Sequence, residues 1–393
     1  MLGGAAETAG SRRRDVRAGR GPGLSRRMRE GLGVFVSLAL GGTALLFLTG
    51  CGGSGSPQRF TVQPSDRAEA AARSFLDTYV NPDGRVVRRD QGGDTVGEGQ
   101  AYAMLVAAAI GDARRFDSVW NWTKANLRRP DGLISFLWRN GRVQDPQAAS
   151  DADLDASRAL LVAACRFKRP ALRQEATQLG NAIMRIEVTS SNGQPVLTAG
   201  PWAVTPPVTV NPSYFSPATF AALGAATRDG IWSALATSSR SITNSLMPAP
   251  SRLPPDWARL ENGKPVPIGS PSDPGARPLF SFDAVRTLVR MAEDPSPAGR
   301  QLAARAWPAF EGQNPTKLPV EHDLSGRPVG HILNPVVLVA AAGAADAAGQ
   351  TAARDGLLDE ADALNRRFPT YYGAAWVALG RIMLTTRLLD SCS

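Results

Sequence analysis

Gly97-Glu98-Gly99-Gln100-Ala101-Tyr102-Ala103-Met104-Leu105-Val106-Ala107-Ala108-Ala109-Ile110 is Ala-rich and, from Glu98 onward, apolar nearly all the way round a helix. A helix without a polar face has to be enclosed by other elements. Working outward from it, apolar residues recur at helical spacing along most of the chain. The pattern predicts helices over 68–79, 98–110, 114–127, 151–167, 171–186, 217–226, 231–246, 283–291, 298–310, 335–347, 352–366 and 371–388. Strand signals are few. One small hairpin is predicted, from 187–189 and 196–198 across residues 190–193. The long connections 205–213, 248–278 and 313–334 are rich in Pro and Gly, and loops of that length in a compact helical domain are usually functional. There is no solenoid repeat, parallel-sheet pattern or internal linker. The expectation is one all-α domain, a toroid of paired helices with its loops gathered around a single cleft.

The chain has 393 residues, 43% of them apolar, enough for a sizeable core, and only 20% charged, which argues against a largely disordered chain. The net charge of +9 is unevenly placed. Residues 1–30 hold eight arginines against Glu7, Asp15 and Glu30, which accounts for +5. No basic stripe interleaved with aromatics follows, so no nucleic-acid partner is expected. Three cysteines are too few for a disulfide framework, although Cys165 and Cys392 could pair.

The first 51 residues have the layout of a secretory signal: a basic region, an uncharged apolar run over 31–50, then a small-residue site. The run ends in Leu48-Thr49-Gly50-Cys51, which resembles a bacterial lipobox, with Cys51 as the lipidated residue. A retained signal anchor is the other reading, since about twenty apolar residues can span a bilayer. Residues 52–65 read as a flexible tether and 66–393 as the folded domain. The expected location is outside the cytoplasm, as a membrane-anchored lipoprotein of the periplasm or cell surface.

There are two histidines, His322 and His331, and no HExxH, CxxC, P-loop or GxSxG pattern. His322 is expected on a surface loop, and no metal or cofactor is expected. Chemistry must therefore rest on carboxylates. Glu98 opens a buried helix, where burial would raise its pKa while the helix dipole opposes the rise. In Ser150-Asp151-Ala152-Asp153-Leu154-Asp155, Ser150 with Asp153 has the spacing of a capping box, but a cap does not explain three acids. In Ser281-Phe282-Asp283-Ala284-Val285-Arg286, an acid and an arginine stand three apart, as in a helix ion pair.

Taken together, Glu98-Gly99-Gln100-x-Tyr102-x-Met104, Trp120-Asn121-Trp122-Thr123, Ala149-Ser150-Asp151-Ala152-Asp153, Asn211-Pro212-Ser213-Tyr214-Phe215, Pro255-Asp256-Trp257, Phe282-Asp283-Ala284-Val285-Arg286 and Tyr371-Tyr372 resemble glycoside hydrolase family 8. The resemblance spans roughly residues 68–389 and implies an (α/α)6 barrel and an inverting mechanism. By that resemblance Glu98 is the general acid, Asp283 the general base, and Asp151 the acid that binds and helps distort the sugar beside the cut. Asp153, Tyr214, Arg286, Gln100, Tyr102, Trp138, Trp257 and Tyr372 are the implied substrate-binding set. Tyr214 would support the distorted ring and Arg286 would orient Asp283. Trp120 and Trp202 join Trp138, Trp257 and Tyr372 as candidates to stack on sugars, with about half expected in the core instead. Two departures stand out: Asp155 and Ser157 where the family usually has apolar residues and Ala, and Phe282 where Tyr is common. The implied substrate is a β-1,4-glucan, cut by an endoglucanase, with an accessory role in bacterial cellulose synthesis as one setting. Xylan or chitosan hydrolysis on the same fold, a non-catalytic glycan-binding lipoprotein and a helical assembly scaffold are the alternatives. The mild positive excess disfavours the cationic chitosan.

Overall fold

The computed structural model describes residues 63–248 and 253–390. The signal segment with Cys51, the tether up to residue 62, and Cys392 lie outside the described residues. Cys165 is disulfide-bonded.

Among the described residues there are twelve α-helices: α1 Pro64–Tyr79, α2 Gly97–Ile110, α3 Ala113–Asn126, α4 Ser150–Arg166, α5 Pro170–Ile186, α6 Pro217–Thr227, α7 Ile231–Leu246, α8 Val285–Ala292, α9 Pro297–Ala304, α10 Pro335–Ala347, α11 Thr351–Arg367 and α12 Tyr371–Thr385. The even-numbered helices pack in sequence, α2 on α4, α4 on α6, and so on until α12 closes back onto α2. The odd-numbered helices pack outside this ring, α3 on α2, α5 on α4, α7 on α6, α9 on α8 and α11 on α10, while α1 lies chiefly against α12. The result is an (α/α)6 barrel. Sequence explains the division. Helices α2, α8, α10 and α12 are buried over nearly their whole length, whereas α5 and α7 bury one stripe and leave the rest exposed. Small residues let the inner helices approach closely: a Cβ at Gly380 of α12 would sit 2.3 Å from Val339 Cγ1 of α10.

The helices begin where local chemistry satisfies their free N–H groups. Proline occupies the first turn of α1, α5, α6, α9 and α10, while Asn334 and Thr370 cap α10 and α12 through their side chains. Ser150 does not cap α4. It lies inside the first turn and donates to Thr198 O at 2.6 Å, because Ala149 holds the cap position. Helix α1 starts at Pro64, inside the stretch read as tether, since proline at the first helical position needs no N–H partner. Asp283 lies in the turn just before α8 rather than within a helix, and the predicted helix over 298–310 breaks after Ala304 into a short 3-10 turn, Trp307–Ala309.

Among the described residues there are also eight short strands, more than the one hairpin predicted: β1 Thr95–Val96, β2 Leu137–Arg139, β3 Arg142–Asp145, β4 Val188–Ser191, β5 Gln194–Leu197, β6 Val208–Val210, β7 Trp257–Glu261 and β8 Lys264–Ile268. They form three small antiparallel sheets, β1-β2-β3, β4-β5 and β6-β7-β8. Only β4-β5 matches the predicted hairpin. All three hairpins turn on Asn-Gly: Asn140-Gly141, Asn192-Gly193 and Asn262-Gly263 each have positive φ at both residues. That is the backbone demanded by a tight turn between right-twisted strands. His322 is not on the surface. It is wholly buried between Phe280 and Phe310, and burial lowers its pKa.

Candidate active site

The first turns of the inner helices meet at one end of the barrel. Glu98 stands in the first turn of α2, Asp151 in that of α4, Arg286 in that of α8, and Tyr372 in that of α12. Glu98, Asp283, Arg286, Asn334, Tyr371 and Tyr372 are among the residues that line a hollow of about 390 Å³ there, while Asp151 is buried. A larger hollow of about 1220 Å³ is lined by residues near the other ends of the inner helices, including Ala164, Ala226, Glu293, Asp346 and Leu384. None of the predicted site residues lines it.

One guanidinium organises the site. Arg286 Nη1 donates to Asp151 Oδ2 at 2.7 Å, Tyr102 Oη at 3.0 Å and Glu98 Oε2 at 3.4 Å, while Nη2 donates to Asp283 Oδ1 at 2.5 Å. The Arg286 and Asp151 side chains each keep 3% of their surface, Glu98 20% and Asp283 32%, so the two outer acids reach the open hollow. Glu98 and Asp283 thus approach Arg286 through different nitrogens, Nη1 and Nη2, and both line the hollow.

Three carboxyl groups share this one cation. Burial is the largest influence on Glu98 and pushes its pKa up to about 7; Arg286 and Arg88 oppose the rise, and Asp151 and Asp283 add to it. Glu98 is therefore the group that holds a proton near neutrality. Burial also raises Asp151, against the pull of Arg286. Tyr214 lies under the guanidinium, 5.2 Å from its ring centroid to Arg286 Cζ, and meets Trp257 edge-on at 6.1 Å. Trp257 in turn lies 6.3 Å from Trp202, which is 42% exposed. These three partly exposed rings form an aromatic wall.

Several implied substrate-binding residues do other work. Gln100 is wholly buried; its amide accepts from Val86 N and donates to Thr123 Oγ1, which fixes the segment before β1 against α3. Asp153 is also wholly buried and accepts from Ile134 N at 2.9 Å, so it has no surface to offer a sugar. Tyr102 is buried and holds Arg286. Trp138 is partly exposed, but Arg85 stacks on its ring at 4.3 Å. Trp120 is a core residue whose Nε1 donates to Glu175. Tyr372 lines the hollow and donates its hydroxyl to Phe282 O at 2.7 Å.

Sequence reasoning missed Arg88 and Asn334, which also line the hollow. The Asn334-Pro335 pair is a legible helix start, but nothing in the sequence says that the start faces the acids. It also gave no role to Asp256, whose Oδ1 accepts from Ser281 N and Ala284 N.

The profile of the Glycosyl hydrolases family 8 matches residues 60–298. The chain belongs to this family. A probable endoglucanase of Novacetimonas hansenii is 31% identical over 258 residues, covering 64% of this chain and 72% of that protein. An endoglucanase of Xanthomonas axonopodis pv. citri is 32% identical over 60% of this chain and 66% of its own length. Among solved structures, the endo-β-1,4-glucanase of Acetobacter xylinum superposes with a TM-score of 0.69 at 28% identity, over 81% of this chain and 98% of that one. In this family 8 chain Glu98, Asp151 and Asp283 converge on Arg286, and the aromatic wall borders them.

Proposed function

We propose that this family 8 chain is an inverting endo-β-1,4-glucanase in which Glu98 is the general acid and Asp283 the general base. The observation that carries the reading is the meeting of Glu98, Asp151 and Asp283 on the single buried Arg286 at the mouth of an open hollow. Glu98, protonated near neutrality, gives its proton to the glycosidic oxygen as the bond to the anomeric carbon breaks. A water on the opposite face of the ring gives a proton to Asp283 and attacks the same carbon, so the configuration inverts. Solvent then reprotonates Glu98 and takes the proton from Asp283. Asp151 sits between the two, where it can bind the hydroxyls of the sugar being cut and offset the developing positive charge. Tyr214 and Trp257 offer faces for neighbouring sugars.

Retention of both outer acids supports catalysis over mere glycan binding. The endoglucanase relatives support a glucan over xylan or chitosan. Reducing-sugar release from carboxymethylcellulose, xylan and chitosan separates these substrates. Wild type should act best on the first, and Glu98→Gln should lose that activity. Unchanged release by the variant would remove Glu98 as the acid, and no release from any substrate would leave the binding reading. The proposal extends to export with a lipid anchor at Cys51, supported by the Leu48-Thr49-Gly50-Cys51 motif. Cys51→Ser should then move the protein from the membrane to the soluble fraction.

A further inference from the structure

We propose that Asp256 is a positioning residue that holds the turn carrying Asp283, so that the base is fixed through its backbone as well as through Arg286. The inference rests on the assignment of Asp283 as base. Asp256 immediately precedes β7, an element separate from α8 and the turn before it. Its Oδ1 accepts from Ser281 N at 2.9 Å and from Ala284 N at 2.7 Å, the two amides that bracket Phe282 and Asp283. Between them Ser281 Oγ accepts from Phe282 N at 2.6 Å, and Tyr372 donates to Phe282 O at 2.7 Å. The Asp256 backbone is itself tied to this segment, its N–H donating to Leu279 O at 2.8 Å.

Residues 281–284 precede the first residue of α8, so their N–H groups have no helical acceptor four residues back. Without an external acceptor the turn has no reason to keep one conformation. Asp256 supplies it from a different element. Burial and the adjacent Asp283 raise the Asp256 carboxyl to about 7, while the two amide bonds oppose the rise. Protonation does not release the clamp, because a neutral acid keeps a carbonyl oxygen that still accepts both amides. The requirement is for an acceptor oxygen at that point and not for charge. The next residue is Trp257, part of the aromatic wall, so the two-residue unit Asp256-Trp257 ties the sugar platform to the base. A sugar seated on Trp257 thus bears on the element that sets the position of Asp283.

The test compares Asp256→Ala and Asp256→Asn in the full chain with wild type and Asp283→Asn. Asp256→Ala should lower kcat on carboxymethylcellulose by about ten- to a hundredfold with KM little changed, the consequence of a base displaced by about an ångström. Asp256→Asn should restore kcat to within about threefold, since the amide oxygen replaces the acceptor. Hydrogen–deuterium exchange over residues 279–286 needs no substrate, and should be faster in Asp256→Ala and unchanged in Asp256→Asn. Wild-type kcat in Asp256→Ala, or an equal loss in both variants, would overturn the clamp. Should Asp256→Ala not fold, a tenfold or greater loss in Asp256→Asn overturns it, and retained kcat with protected amides supports it. If wild type releases no sugar, the glucanase reading fails while the exchange data still decide the clamp.

Discussion

At the scale of single residues, the site is a problem of one cation and too many acids. Arg286 is almost wholly buried and cannot neutralise Glu98, Asp151 and Asp283 together, so one of the three must carry a proton. Glu98 is raised to about 7, which fits the role of acid proposed for it. A general acid works only while protonated, so kcat/KM should fall as pH rises through about 7. Asp151 adds to the rise in Glu98, so Asp151→Asn should move that alkaline limb to lower pH, whatever it does to the rate; a pH–rate profile on a soluble glucan measures both. Glu98→Gln should lower kcat by about 10²- to 10⁴-fold, measured as initial rates of reducing-sugar release. The acids themselves were legible in the sequence, because a carboxyl at the head of an apolar helix has few structural reasons to be there. Asp153 and Gln100 were not legible as structural residues. Their partners, Ile134 N and Val86 N, are backbone groups brought in by tertiary packing.

At the scale of elements, α4 and α8 face each other through three levels of buried charge. Asp151 pairs with Arg286 at 2.7 Å, Asp155 with Arg290 at 2.6 Å, and Arg158 with Glu293 at 2.9 Å. The spacing of 4 and then 3 along both helices keeps the pairs on one face of each. Asp155, a buried acid of α4, thus answers Arg290, 135 positions away. Sequence shows the acid but not the distant partner. Removing one member of a buried pair leaves an uncompensated charge, so Arg290→Met should cost about 3–5 kcal/mol. Asp155→Leu combined with Arg290→Met should recover most of that loss; denaturant unfolding of the three variants checks it. The strands carry the opposite lesson. Their Asn-Gly turns were visible in the sequence, but two of the three fell inside stretches with too few alternating apolar residues to read as strands.

At the scale of the whole molecule, the ring of paired helices was legible because enclosed helices such as α2 and α10 lack a polar face, while the closure of α12 onto α2 depends on contacts between the ends of the domain. The same enclosure isolates two further acids. Asp153 and Glu187 are wholly buried, Asp153 Oδ2 and both Glu187 carboxyl oxygens lack a partner among the described residues, and burial raises both pKa values well above the ordinary range. The unfolded chain ionises these groups near the usual 3.8 and 4.5, while the folded chain keeps their protons. Their contribution to stability is thus fully present at low pH and is lost as pH rises towards the folded pKa values. The melting temperature should fall with rising pH above the ordinary carboxylate range, and Glu187→Gln should flatten that slope. Inversion is the stereochemical consequence of the roles proposed for Glu98 and Asp283, which line the same hollow from α2 and from the turn before α8. Proton NMR of freshly hydrolysed β-1,4-glucan oligomer reads the first-formed anomer directly. This account predicts the α-anomer, from inversion; the β-anomer appearing first would contradict it.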